Sequence, residues 1–238
     1  MRFLLFFEEV NVDNITRNST CLVYGICCAD KMVNEPDNDC LINFLKICLS
    51  IKKRGHIIVN DIKQKLLEDG SFNLKHESEL FVYVTPLAFA TIYEYNYHDV
   101  ESLIREFIID IFEIHNEGLT KLLCEWVYLL HDILFGKISK DDILTILPEL
   151  KDTYNMNNIA NSDIDIWRKD FIEGLWCFIH SSNWFDAVDG ALMWIPNPNA
   201  YISAIVGAIS GLYYGLDSIP TEIRNSAQES FELDKYCF

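Results

Sequence analysis

AYISAIVGAISGLYYG, residues 200–215, sets small side chains at Ala204, Gly207, Ala208 and Gly211 within an otherwise apolar run. Spacings of three and four put these four positions on one face of a helix. Glycine inside a helix costs about 1 kcal/mol relative to alanine, so two of them one turn apart imply a compensating close approach by a second helix or by a ligand. Something packs hard against this face, and the fold has to be arranged around it.

The rest of the chain reads as helices able to do the packing. In ESLIREFIIDIFEIH, from Glu101, residues Leu103, Ile104, Phe107, Ile108, Ile111 and Phe112 form one face, while Arg105, Glu106, Asp110 and Glu113 lie largely opposite. The same period runs through LINFLKICLSI from Leu41, LTKLLCEWVYLLHDILF from Leu119 and IWRKDFIEGLWCFIH from Ile166. Ser139 to Asp142 and Ser162 to Asp165 each place a hydroxyl at an expected N-cap with a carboxylate three residues on. Lys52, Lys53 and Arg54 before Gly55 read as the cationic end of a helix, and Pro148 and Pro220 mark breaks. Only LFVYVTPLAF, from Leu80, is enriched in β-branched and aromatic residues, and Pro86 argues against a long regular element there. The polar stretch KDTYNMNNIANSD from Lys151 reads as a surface loop within one domain spanning residues 1–238. The expected fold class is all-α, a single multi-helix domain.

Composition narrows the function. Half of the residues are hydrophobic and 13% aromatic, which is that of a folded chain with a substantial core. Nineteen basic against 36 acidic residues give a formal charge of −17, which repels a polyanion at long range, so no nucleic-acid partner is expected. The opening MRFLLFFEEV makes a poor secretory signal, and Ile202 to Leu216 is too short and glycine-rich to span a bilayer, so no membrane partner is expected and a cytoplasmic location is. The eight cysteines show no CxxC pair and fall mostly inside apolar helical patterns, as reduced core residues would. The sequence has no GxSxG, P-loop, HExxH or GxGxxG motif.

SSNWFDAVDGALMWIPNPNAYISAIVGAISGLYYGLDSIP, residues 181–220, resembles the C-terminal segment of the ADP-ribosylglycohydrolase family, the dinitrogenase-reductase-activating glycohydrolase type. There a helix of the pattern F-x-x-A-x-x-x-A leads to GGDTDT and then to xAAIxGAxxGAxYGxxxIP. Read back from Gly207 without gaps, the six motif positions fall on Pro196, Asn197, Pro198, Asn199, Ala200 and Tyr201, so both aspartates are replaced. CLVYGICCADKM is similar to the family's opening GxxxGxxxGDAxG, with Asp30 at the acidic position. DNDCLINFLKICLSIKKRG resembles TDDT and the helix after it, with Asn38 for one carboxylate and Asp39 retaining the other. SELFVYVTPLAFA resembles GSLMRxAPLxL with Tyr83 in place of arginine, and EIHNEGLTKLLCEWVYLLHDILFGK keeps the family's histidine as His115 behind Ile114.

The resemblance implies an all-α fold whose paired Mg²⁺ ions sit among the acidic residues of the two aspartate motifs. Magnesium wants near-octahedral oxygen ligands, usually including carboxylates that offset its charge. With Asn38, Pro198 and Ala200 at those positions, three anionic ligands are missing and the paired site is expected to be lost, leaving no cofactor. The metals' implied role is to orient the ribose and activate water, so hydrolysis without them needs another acid and base. Glu35, Asp37 and Asp39 are close enough in sequence to supply a carboxylate pair, and His115 is a further candidate; each also reads as a loop carboxylate or a helix-end histidine. On the resemblance, Asp30, Tyr83 and His115 would line a ligand cleft, joined by Asn197, Asn199, Tyr201 and Gly207 from the C-terminal segment.

Three functions follow as expectations. The first is a pseudoenzyme that keeps the scaffold and binds an ADP-ribose-like or nucleotide ligand, or a protein partner. The second is an active ADP-ribosyl hydrolase with a single-metal or metal-free site using Asp30, Asp39 and a nearby glutamate; only this one calls for Mg²⁺. The third is an interaction protein whose cleft is filled by Trp194, Tyr201 and Tyr83.

Overall fold

The computed structural model describes residues 12–33, 38–68, 72–90, 97–147, 164–195 and 199–237. Twelve α-helices run through them: α1 (Val12–Met32), α2 (Asn38–Arg54), α3 (Val59–Leu67), α4 (Glu79–Val84), α5 (Leu87–Ala90), α6 (Tyr97–Phe112), α7 (Glu117–Leu134), α8 (Lys140–Ile146), α9 (Ile166–Ile179), α10 (Trp184–Met193), α11 (Ala200–Tyr214) and α12 (Thr221–Phe231). No strand occurs among the described residues, as the helical periods require. None of the described helices is long and apolar enough to cross a membrane.

At the centre lies α11, where every residue from Ile202 to Leu212 is buried. A helix that is apolar all round belongs inside a globule, and α1, α4, α7, α9 and α10 all pack on this one. The closest partner is α1. A methyl group on Gly25 would overlap the carbonyl oxygen of Gly207, one on Gly207 that of Gly25, and one on Gly211 that of Cys21. The two backbones are therefore in direct contact, and only the missing side chains allow it. The face predicted from the spacing is an interhelical contact, so Gly207 packs against α1 and is not a ligand residue. On the other side Gly174 of α9 seats Ile205, whose Cγ2 would lie 2.9 Å from an added methyl group.

Local chemistry fixes the ends of the helices. Ser139 and Asp142 form the expected capping box on α8. Asn116, Asn183 and Asn199 cap α7, α10 and α11 by accepting the backbone N–H of Leu119, Asp186 and Ile202. The cap of α9 falls on Asp165, without a side-chain bond; Ser162 and the whole stretch 151–163 lie outside the described residues. Around Pro86 the chain is helical on both sides, as α4 and α5, because burial of Leu80–Val84 and Leu87–Phe89 outweighs their β-propensity. Lys140 ties α8 to the ends of α9 and α11: its ammonium donates to the carbonyls of Ile179 (3.2 Å) and Ser181 (2.5 Å) and to the Tyr214 hydroxyl, over the Phe178 ring. All eight cysteines are buried free thiols, and burial pushes those of Cys28, Cys124 and Cys177 up to about 12.

Replacing Gly207 by alanine should destabilise the protein by about 1–3 kcal/mol in urea unfolding through overpacking, although alanine is the better helix former by about 1 kcal/mol. Gly118→Ala, whose new methyl group meets only ordinary contacts, should be neutral in the same measurement. Iodoacetamide at neutral pH should leave the folded protein's thiols unmodified and alkylate them all once urea unfolds it.

Candidate functional site

The first turn of α11 meets the C-terminal end of α1, the start of α2 and the middle of α4. Together they enclose a cavity of about 10 Å³ lined by Ile26, Asp30, Cys40, Val82, Ala200 and Tyr201, with Leu41 and Ala204. That is room for about one water molecule. Asp30 is buried at its wall. The structure thus brings Asp30, Ala200 and Tyr201 together, as their sequence positions suggested.

Beside this cavity lies a polar layer that periodicity alone did not reveal. The buried Glu79 carboxylate accepts the backbone N–H groups of Lys75 (3.0 Å) and His76 (2.9 Å) on Oε1 and the Tyr83 hydroxyl (2.7 Å) on Oε2. The Tyr201 hydroxyl lies 3.4 Å from the same Oε1, and the Tyr201 ring stacks on His76 at 5.2 Å and 16°. Asp170 of α9, also buried, accepts from the Ser78 hydroxyl (2.6 Å) and from the Asn199 amide (3.2 Å). Asn199 therefore works twice, capping α11 with its oxygen and holding Asp170 with its nitrogen. His76 Nδ1 accepts the Ser78 N–H at 3.2 Å and lies 4.0 Å from Asp170 Oδ2.

Asp39 stands at the first turn of α2, its carboxylate exposed and paired with the Lys75 ammonium at 2.8 Å. The ammonium occupies one side of the carboxylate that a divalent cation would need. Among the described residues no three His, Cys, Asp or Glu side chains converge in a metal-ligand arrangement. Ala200 contributes only a methyl group. At these two described positions the chain therefore offers one carboxylate already paired with Lys75 and one methyl group, where the sequence resemblance implies two anionic ligands.

Other candidates land elsewhere. Tyr83 is fully buried, stacked on Phe112 at 5.7 Å with an interplanar angle of 9°, and its hydroxyl is committed to Glu79. No ring face is left for a ligand, and the expectation that Tyr83 contacts one is corrected. His115 is exposed in the turn between α6 and α7 and does not line the cavity. Trp194 lies over Gly190 and against Trp176, not in the cavity, so of the three aromatics expected to fill the cleft only Tyr201 lines it. Glu35, Asp37, Asn197 and Pro198 lie outside the described residues, as does the side chain of Asn38.

No protein-family model and no curated protein matches the chain. Among solved structures, one titled "ADP-ribosylglycohydrolase-related protein complex" superposes with a TM-score of 0.67 at 14% sequence identity, covering 94% of this chain and 99% of that one. The fold is ADP-ribosylglycohydrolase-like. At that identity the likeness speaks for the architecture. With it the order of the sequence motifs gains a spatial meaning: in this ADP-ribosylglycohydrolase-like fold the segments carrying Asp30, Asp39 and Ala200 do converge on one place.

One turn beyond Asp170 on α9 is Glu173, 1% exposed. No donor among the described residues reaches its Oε1, and the nearest cation, Lys169 Nζ, stands 3.9 Å away. Burial raises its pKa to about 7, against the partial offset of Lys169. Burial likewise raises that of Asp170, against the bonds from Ser78 and Asn199. A carboxyl group whose folded pKa lies above its unfolded one leaves stability intact at low pH, where it is neutral in both states. It removes stability as pH climbs through the folded value near 7. Glu173→Gln should therefore stabilise the protein by about 1–3 kcal/mol at pH 8, the usual cost of an incompletely paired buried polar group. The gain should vanish near pH 4, as urea unfolding at the two pH values would register.

Proposed function

We propose that this chain is a catalytically inactive protein of ADP-ribosylglycohydrolase-like fold that works by binding. The observation that carries the reading is the Lys75–Asp39 pair at 2.8 Å. On the resemblance Asp39 is the retained carboxylate of the N-terminal metal motif, and here its counter-charge comes from within the chain. Ala200, facing the cavity beside Asp30, removes a second ligand. Hydrolysis of a glycosidic N- or O-linkage to ribose would need an activated water and a general acid, and the carboxylate that lines the described cavity, Asp30, is buried.

What is bound follows from size. Small-molecule sites run to about 300–1,000 Å³, whereas the described cavity has about 10 Å³. Among the described residues this supports a protein partner over ADP-ribose or a nucleotide, with Tyr201 at the cavity wall held by its stack on His76.

Isothermal titration should detect no Mg²⁺ binding at millimolar concentration, and arginine-, serine- and carboxylate-linked ADP-ribosylated proteins should release no ADP-ribose with or without Mg²⁺. Mg²⁺-dependent release would overturn the proposal, and metal-independent release abolished by Asp30→Asn would favour a non-standard hydrolase. ADP-ribose, NAD and free nucleotides should leave the melting temperature unchanged; a rise of several degrees with ADP-ribose alone would identify a small-molecule binder instead.

A further inference from the structure

One imidazole in the polar layer stands between two partners. His76 Nδ1 accepts the backbone N–H of Ser78 at 3.2 Å, and Asp170 Oδ2 of α9 lies 4.0 Å from the same nitrogen. The His76 side chain is 30% exposed, so protons reach it from solvent, whereas that of Asp170 is 4% exposed. Both Asp170 oxygens accept hydrogen bonds, Oδ2 from the Ser78 hydroxyl at 2.6 Å and Oδ1 from the Asn199 amide at 3.2 Å, as an ionised carboxylate does. Those donors are neutral. Burial raises the pKa of Asp170, opposed by the Ser78 and Asn199 bonds and then by His76 and Lys169. A cation beside this carboxylate would offset part of the cost of keeping its charge out of water.

Histidine is the side-chain type that gains and loses charge between about pH 5 and 8. In the neutral ring the Nδ1 lone pair takes the Ser78 N–H, so a second proton adds at that nitrogen. Nδ1 then becomes a donor, gives up the Ser78 N–H and turns to the Asp170 carboxylate. The other charged groups about the ring come from four elements. Glu79 of α4 accepts the His76 N–H at 2.9 Å, the Lys75 ammonium is turned to Asp39 of α2 at 2.8 Å, and the Lys169 ammonium of α9 stands by Glu173. From α11 comes the Tyr201 phenol, whose ring stacks on His76 at 5.2 Å and 16°. A cationic imidazole adds cation–π attraction to that stack. Tyr201 also lines the cavity, so a change of charge on His76 is felt at the cleft wall.

We infer that His76 is a proton-operated latch. On gaining its second proton it exchanges the Ser78 N–H for the Asp170 carboxylate, joins the turn ahead of α4 to α9, and pins Tyr201 at the cavity wall. The latch needs no ligand and stands whether or not the cleft takes a partner. Assays of Mg²⁺ binding and ADP-ribose release do not read it, so the two ideas fail separately.

Thermal unfolding of the full chain at two pH values tests it. The melting temperature of the wild type minus that of His76→Gln should be larger at about pH 5.5 than at about pH 8, by about 2–4 °C, the shift of one added pair in a chain of this size. Glu173 is common to both proteins, so its own pH dependence cancels. In an Asp170→Asn background the pH-dependent part of the difference should vanish. A difference that is equal at both pH values, or that persists with Asp170→Asn, would overturn the inference. Should Asp170→Asn fail to fold, Ser78→Ala decides, because it frees the same carboxylate oxygen for the imidazolium. It should enlarge the pH-dependent difference, and an unchanged or smaller one would overturn the latch. Tyr201→Leu keeps Asp170 but removes the stacked ring and should reduce the difference; no reduction would overturn the link to the cleft wall.

Discussion

Everything in this fold depends on two backbones lying against each other. Where α1 crosses α11, Gly25, Gly207 and Gly211 leave the carbonyls of one helix in contact with the Cα atoms of the other. Side chains normally hold helix axes 8–10 Å apart; removing them draws the pair together and makes their relative position nearly rigid. Helix α11 is then surrounded by α4, α7, α9 and α10, so its placement becomes the reference for the rest. The functional region inherits that precision, since Asp30 lies at the end of α1 and Ala200 and Tyr201 lie in the first turn of α11.

Around that crossing, buried charge is answered from within the chain. Glu79 is held by two backbone N–H groups and a phenol, and Asp170 by a hydroxyl and an amide, while at the surface Asp39 pairs with an ammonium. Each bond lowers the cost of keeping a carboxylate out of water, and each also uses up a lone pair that a metal ion or substrate would need. Glu173 is the exception, short of donors and displaced toward its neutral form. The network joins α4, α9 and α11 through Ser78, Asp170 and Asn199, so it contributes to the alignment of three helices as well as to the chemistry of the cleft.

The architecture was legible because its main determinants are periodic. Apolar spacing gave the helices, the Ser139 cap gave the start of α8, and the small residues of 204–211 announced a close contact before its partner was known, whereas the asparagine caps of α7, α10 and α11 were not read from the sequence. The site was legible only in outline. Motif order brought Asp30, Asp39 and Ala200 to one region, yet Tyr83 and Gly207 proved to be packing residues, because sequence position does not say on which side of a helix space is left. Asp170 and Lys75 were missed since their partners are distant in the chain, whereas Glu79 is bonded mainly by Lys75, His76 and Tyr83 within four residues of it and was missed because an acidic residue before an apolar run reads equally as a solvated helix start. A signal was present in IWRKDFIEGLWCFIH, where Asp170 and Glu173 interrupt a wide apolar stripe one turn apart. Carboxylates in that position must be either paired or neutral.

The Lys75–Asp39 bridge also bears on what residue 200 can carry. An acidic side chain there would set a new anion beside the buried Asp30 while the Lys75 ammonium is already engaged by Asp39 at the surface, and two carboxylates brought together out of water push one of the pair toward its neutral form. A methyl group at Ala200 lets Asp30 keep that wall of the cavity to itself.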